Sequence, residues 1–82
     1  MTKNEFIRLI DNSGDIMFTC GKHKLTIITW ADEGIGIGFQ NRNPDLNKIQ
    51  YYSSSTELVN EFLLDGVPLV NLKNNIVIDQ CN

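Results

Sequence analysis

The sequence predicts an α+β fold: an antiparallel β-meander of four to five strands with two helices packed on one face, in the order α-β-β-β-β-α-β. Residues 1–82 form a single small domain. Three observations predict this. Capping-box spacings at Thr2/Glu5 and Ser54/Glu57 open two stretches whose apolar residues recur three and four apart. Between them run β-branched, alternating segments joined by short glycine turns. The helices flank the strand run rather than alternating with it, which places them together over an antiparallel sheet.

The first helix starts at Thr2, whose hydroxyl and Glu5 satisfy each other's amides, and Phe6, Leu9 and Ile10 form its apolar stripe. Asn12-Ser13-Gly14 stops it. Asp15 to Cys20 alternates Ile16, Phe18 and Cys20 against Met17 and Thr19. A two-residue turn at Gly21-Lys22 or Cys20-Gly21 returns the chain along Lys24 to Trp30. Asp32-Glu33-Gly34 reads as a three-residue loop ending on a left-handed glycine, and Ile35 to Gln40 is the third strand.

Asn43-Pro44-Asp45 marks an irregular loop, and Lys48 to Tyr52 is a short fourth strand with Tyr51 and Tyr52 on opposite faces. The second helix is capped by Ser54, buries Leu58, Val59, Phe62 and Leu63, and ends at Asp65-Gly66 before Pro68. Leu69 to Leu72 suits one helical turn, and Ile76-Val77-Ile78 a last short strand.

Composition excludes several function classes. A hydrophobic content of 41% supports one folded core, and the net charge of −3 lacks the basic face of a nucleic-acid binder. No apolar run approaches the ~20 residues of a membrane helix, and Met1-Thr2-Lys3-Asn4-Glu5 carries no signal-peptide core. A cytoplasmic protein without membrane contact is expected, with Cys20 and Cys81 as reduced thiols rather than a disulfide framework.

Gly34-Ile35-Gly36-Ile37-Gly38-Phe39 is glycine-rich, yet no helix or Lys-Ser/Thr follows to bind phosphate, so it reads as a strand with one bare face. His23 lacks partners at metal-ligand spacing and reads as an exposed or edge residue. The acids at Asp11, Asp15, Asp32 and Glu33 are explained by turns and caps, as are Ser53, Ser54 and Ser55. No nucleophile–base pair or ligand set exists, so no catalytic residue, cofactor or metal is assigned and the chain is expected not to be an enzyme.

Register singles out the bare glycine face. A three-residue loop at 32–34 pairs Ala31 with Ile35, hence Trp30 with Gly36 and Ile28 with Gly38. Parity then places Leu25, Ile27, Ile37 and Phe39 under the helices. Met17, Ile28 and Trp30 lie on the opposite face beside Gly36 and Gly38. An indole over a cross-strand glycine shields its own sheet. The same residues also form an apolar patch able to bind a protein partner or a second copy of the chain.

Five stretches carry a resemblance. They are the Glu5-Phe6-Ile7 helix, the Asp15-Ile16-Met17-Phe18 strand with its Gly21-Lys22 hairpin, Ser55-Thr56-Glu57-Leu58-Val59, Asp65-Gly66-Val67-Pro68-Leu69, and Asn75-Ile76-Val77-Ile78-Asp79. On these the chain resembles small uncharacterised proteins of low-GC Gram-positive bacteria, often found near prophages and mobile elements. It departs from them at Ile35-Gly36-Ile37-Gly38-Phe39, where they carry a polar strand. The resemblance implies a cytosolic accessory role and brings no catalytic residues. The expected function is therefore a non-enzymatic protein-interaction module using the sheet face of Met17, Ile28, Trp30, Gly36 and Gly38, or a structural homodimer. A regulator that sets its acidic surface against a nucleic-acid-binding protein is the alternative.

Overall fold

The computed structural model describes residues 1–29, 32, 34–40 and 49–81. The elements run α1 (Lys3–Asn12), β1 (Asp15–Cys20), β2 (His23–Ile28), β3 (Ile35–Phe39), β4 (Gln50–Tyr52), α2 (Ser55–Glu61), β5 (Leu63–Leu64), β6 (Val67–Pro68), a 3₁₀ helix (Leu69–Asn75) and β7 (Ile76–Cys81). The fold is α+β. Its main sheet has five antiparallel strands in the order β4-β3-β2-β1-β7, and β5 and β6 form a separate pair.

Both helix starts follow from their caps. The Thr2 hydroxyl accepts from the Glu5 amide at 3.1 Å while the Glu5 carboxylate accepts from the Thr2 amide at 3.3 Å. Hydrogen bonding of the Glu5 carboxylate to the Thr2 side chain, and after it to the Thr2 amide, holds the Glu5 carboxyl below its ordinary pKa. Ser54 caps α2 by one half of the expected box, accepting from the Glu57 amide at 3.1 Å, while the Glu57 carboxylate accepts from the Ser53 hydroxyl. Ser55, expected to be only a cap, is buried, and its hydroxyl donates to Asp11 at 2.6 Å, tying α2 to the end of α1.

The core forms between this helical layer and one face of the sheet. Ile16, Phe18 and Cys20 from β1, Leu25 and Ile27 from β2 and Ile37 from β3 alternate inward. They pack with Phe6 and Ile10 of α1, Leu58 and Val59 of α2, and Phe62, Leu64 and Leu69. The period-two strand pattern and the three-and-four helix pattern thus deliver their apolar sets to one interface.

Several expectations are corrected. β2 pairs with β3 so that Ile28 faces Gly36 and Thr26 faces Gly38, two residues from the expected register. At the entrance to β3, Gly34 has a φ of +117°, and a Cβ there would strike the Tyr52 carbonyl. A shift of two preserves every side chain's face, because the side-chain period is two. The expected pairing of Trp30 with Gly36 is therefore replaced by Ile28 with Gly36. Trp30, Ala31, Glu33 and the predicted loop at 41–47 lie outside the described residues, as does Lys48.

Asp65-Gly66 does not end α2. The helix stops at Glu61, and Asp65 and Gly66 (φ 54° and 81°) form the two-residue turn of the β5–β6 hairpin, where both positions require positive φ. The backbone has thus left the helix before Leu63, which is 57% exposed rather than buried. The last strand is longer than its Ile-Val-Ile core, running to Cys81 along β1. Its register slips at Asp79, where two residues of β7 meet one of β1, and the bulged carboxylate accepts from the Thr19 hydroxyl at 2.6 Å.

Candidate functional site

The sheet's second face carries none of the described helices. Alternation places Met17 and Thr19 of β1, Thr26 and Ile28 of β2, Gly36 and Gly38 of β3, and Tyr51 of β4 on it. Met17, Thr19, Thr26 and Ile28 are half-buried, and the two glycines are buried beneath the surface. Tyr51 at 42%, with Ile49 near it at the β4 edge, and Val77 at 62% on β7 at the opposite edge are the most exposed apolar side chains here.

Gly36 is covered by its own sheet. A Cβ at this position would lie 2.7 Å from Ile49 Cγ2 and 3.0 Å from Tyr51 Cε1. Tyr51 is the residue directly opposite Gly36 on β4, so an aromatic ring lies across a strand that has no side chain there. Tyr51 and Ile49 occupy the place over Gly36 that the sequence assigns to the Trp30 indole. Of the residues singled out from sequence, Met17, Ile28, Gly36 and Gly38 share this face; Trp30 is outside the described residues. Ile49, Tyr51 and Val77 were not singled out. The opposed parity of Tyr51 and Tyr52 was the available signal for one of them, whereas Val77 required knowing that β7 joins β1.

A second concentration of polar groups lies at the β1–β2 turn. A pocket of about 180 Å³ opens there, lined by Cys20, Lys22, His23, Leu64, Asp65 and Asn75 among others. His23 is half-buried rather than exposed. Its Nε2 lies 3.0 Å from Asp65 Oδ2, and its ring meets Phe39 edge-on at 5.5 Å. The pair joins β2 to the β5–β6 turn, and Asp65 is 69% exposed, so it contributes little stability. Burial, and after it the negative charge of Asp65, push the Cys20 thiol upward. That is opposite to the shift that activates a cysteine nucleophile.

The remaining candidates have structural partners. Cys81 Sγ lies 2.8 Å from Ser13 Oγ, Ser53 donates to Glu57 at 2.6 Å, and Thr29 donates to the carbonyls of Ser13 and Gly14. Among the described residues no three His, Cys, Asp or Glu side chains are grouped to hold a metal ion, and no described helix is long and apolar enough to cross a membrane. No protein-family model, no curated protein and no solved structure matches this chain.

Proposed function

We propose that this protein is a non-enzymatic, cytosolic interaction module that binds another protein through the uncovered face of its five-stranded sheet. One observation carries the reading: the described helices all lie on one side, while the other side presents Ile28, Ile49 and Tyr51 next to two side-chain-free positions of β3, with Met17 on β1 and Val77 at the far β7 edge. Apolar and aromatic side chains on a rigid, shallow surface lose little conformational entropy when a partner covers them. The resemblance to proteins of mobile elements favours an accessory role.

The test is affinity capture from the source cell with tagged wild-type protein, Met17→Lys and Leu63→Lys. Leu63 is an exposed side chain of β5, away from the main sheet. A specific partner retained by wild type and Leu63→Lys but lost by Met17→Lys is the expected result. A partner that survives Met17→Lys contradicts the reading.

A further inference from the structure

We infer that the outer edge of β7 is a self-association site, where Ile76–Ile78 of two copies pair antiparallel about a two-fold axis at Val77. The product joins two five-stranded sheets edge to edge. This goes beyond the docking reading, which concerns the face of the sheet and not its rim.

Hydrogen-bond alternation fixes what that edge offers. Gly14 accepts from the Thr29 amide, so the even-numbered residues of β1 bond to β2, and Met17 and Thr19 turn their backbone groups to β7. Thr19 lies opposite Val77, and the backbone groups of Ile76 and Ile78 therefore point away from β1. β7 ends the sheet, with no described strand beyond it. The chain at 41–48 leaves Gln40, which bonds to Lys24, and returns to β4 at the opposite edge. Its length allows a reach of ~16 Å out and back. A strand on the outer side of β7 would stand ~19 Å from β3, too far for it to supply.

That edge is undefended where it is apolar. Sheet edges are ordinarily blunted by a charge, a proline or a bulge. β7 carries its bulge and its charge together at Asp79, which leaves Ile76-Val77-Ile78 plain. Val77 is exposed, and Ile76 and Ile78 are half-buried against the core.

Sequence symmetry names the occupant. Ile-Val-Ile reads the same in both directions, so antiparallel pairing centred on Val77 sets each isoleucine against an isoleucine of the other copy. These pairs exchange backbone hydrogen bonds on either side of the axis, and Val77 meets its own copy between them. Each Asp79 falls opposite Asn75 of the other copy and already accepts from its own Thr19. The two carboxylates stand ~14 Å apart, beyond the screening length of about 8 Å at physiological salt.

Sedimentation equilibrium and oxidative cross-linking of the full chain test this. Wild type is expected to dimerise between about 10 µM and 1 mM. Val77→Lys sets two ammonium groups opposite each other and is expected to weaken the dimer roughly tenfold or more. In a Cys81→Ser background, Val77→Cys is expected to form a disulfide-linked dimer. The pair at the axis brings its Cα atoms to about 4.5 Å, within disulfide range. Met17→Cys, on the open face, is expected to cross-link no more than Cys81→Ser alone; this arm decides the question even if the lysine variant is poorly folded.

A wild type still monomeric at ~1 mM, a dimer unaffected by Val77→Lys, or a Val77→Cys variant that cross-links no better than Met17→Cys overturns the inference. Loss of a captured partner in Met17→Lys is a separate outcome, so the face and the edge fail independently.

Discussion

The two faces of one sheet, built from alternate residues of the same strands, end in different states. On one face Ile16, Phe18, Leu25, Ile27 and Ile37 have no exposed surface, because two helices and a 3₁₀ segment cover them. On the other, Met17, Thr19, Thr26 and Ile28 stay half-buried, with none of the described helices over them. The contrast teaches that burial in this fold is decided by what lies over a strand, not by the strand's own hydrophobicity. Ile27 and Ile28 are identical side chains one residue apart.

The largest effect that would sharpen this contrast is expected at Phe18. Its ring is fully buried and meets Phe6 edge-on at 6.3 Å, so Phe18→Ala removes both packing and an aromatic contact. A loss of about 3–5 kcal/mol is expected in urea denaturation. A loss below about 1 kcal/mol would show that the inner face does not carry the fold.

The glycines come next. Gly34→Ala places a Cβ against the Tyr52 carbonyl oxygen at a φ of +117°, where backbone has no room to yield. It is expected to cost roughly 2–4 kcal/mol. Gly36→Ala meets only side chains, Ile49 and Tyr51, which can swing away at roughly 1–3 kcal/mol. The Tyr51 fluorescence and ring NMR signals should change with it. Equal costs at both positions would contradict the close approach at Gly34.

A smaller effect is expected at the cap of α1. Thr2→Ala is expected to cost about 1 kcal/mol. The pH dependence follows from Glu5, whose folded pKa is lowered by its bonds to Thr2. Its contribution is fully present above the ordinary carboxyl value and is lost as pH falls through the lower folded value. Stability profiles of wild type and Thr2→Ala should therefore converge in acid. Parallel profiles through that range would show that Glu5 is not engaged.

Much of this architecture was legible in the sequence because its signals are local. Thr2-x-x-Glu5 and Ser54-x-x-Glu57 spell caps, Gly21-Lys22 spells a tight turn, and Ile16/Phe18/Cys20 alternate within one strand. What misled was tertiary. The register of β2 against β3 is a matter of long-range pairing, which no local rule supplies. Asp65-Gly66 serves equally as a helix stop or a hairpin turn, and only the pairing of Leu64 with Val67 distinguishes the two. The patch was half legible: Met17, Ile28, Gly36 and Gly38 follow from parity, which survives a shift of two. Val77 joins them only because β7 pairs with β1, across nearly the whole chain.

The central claim is that the open face serves binding while the covered face serves folding. Urea denaturation of Met17→Lys beside wild type tests this most directly. The account expects the lysine stem to lie along the half-buried site with its ammonium in water, at a cost below about 1 kcal/mol. A loss of about 3 kcal/mol or more, comparable with truncating Phe18, would make the outer face part of the folding core and contradict the claim.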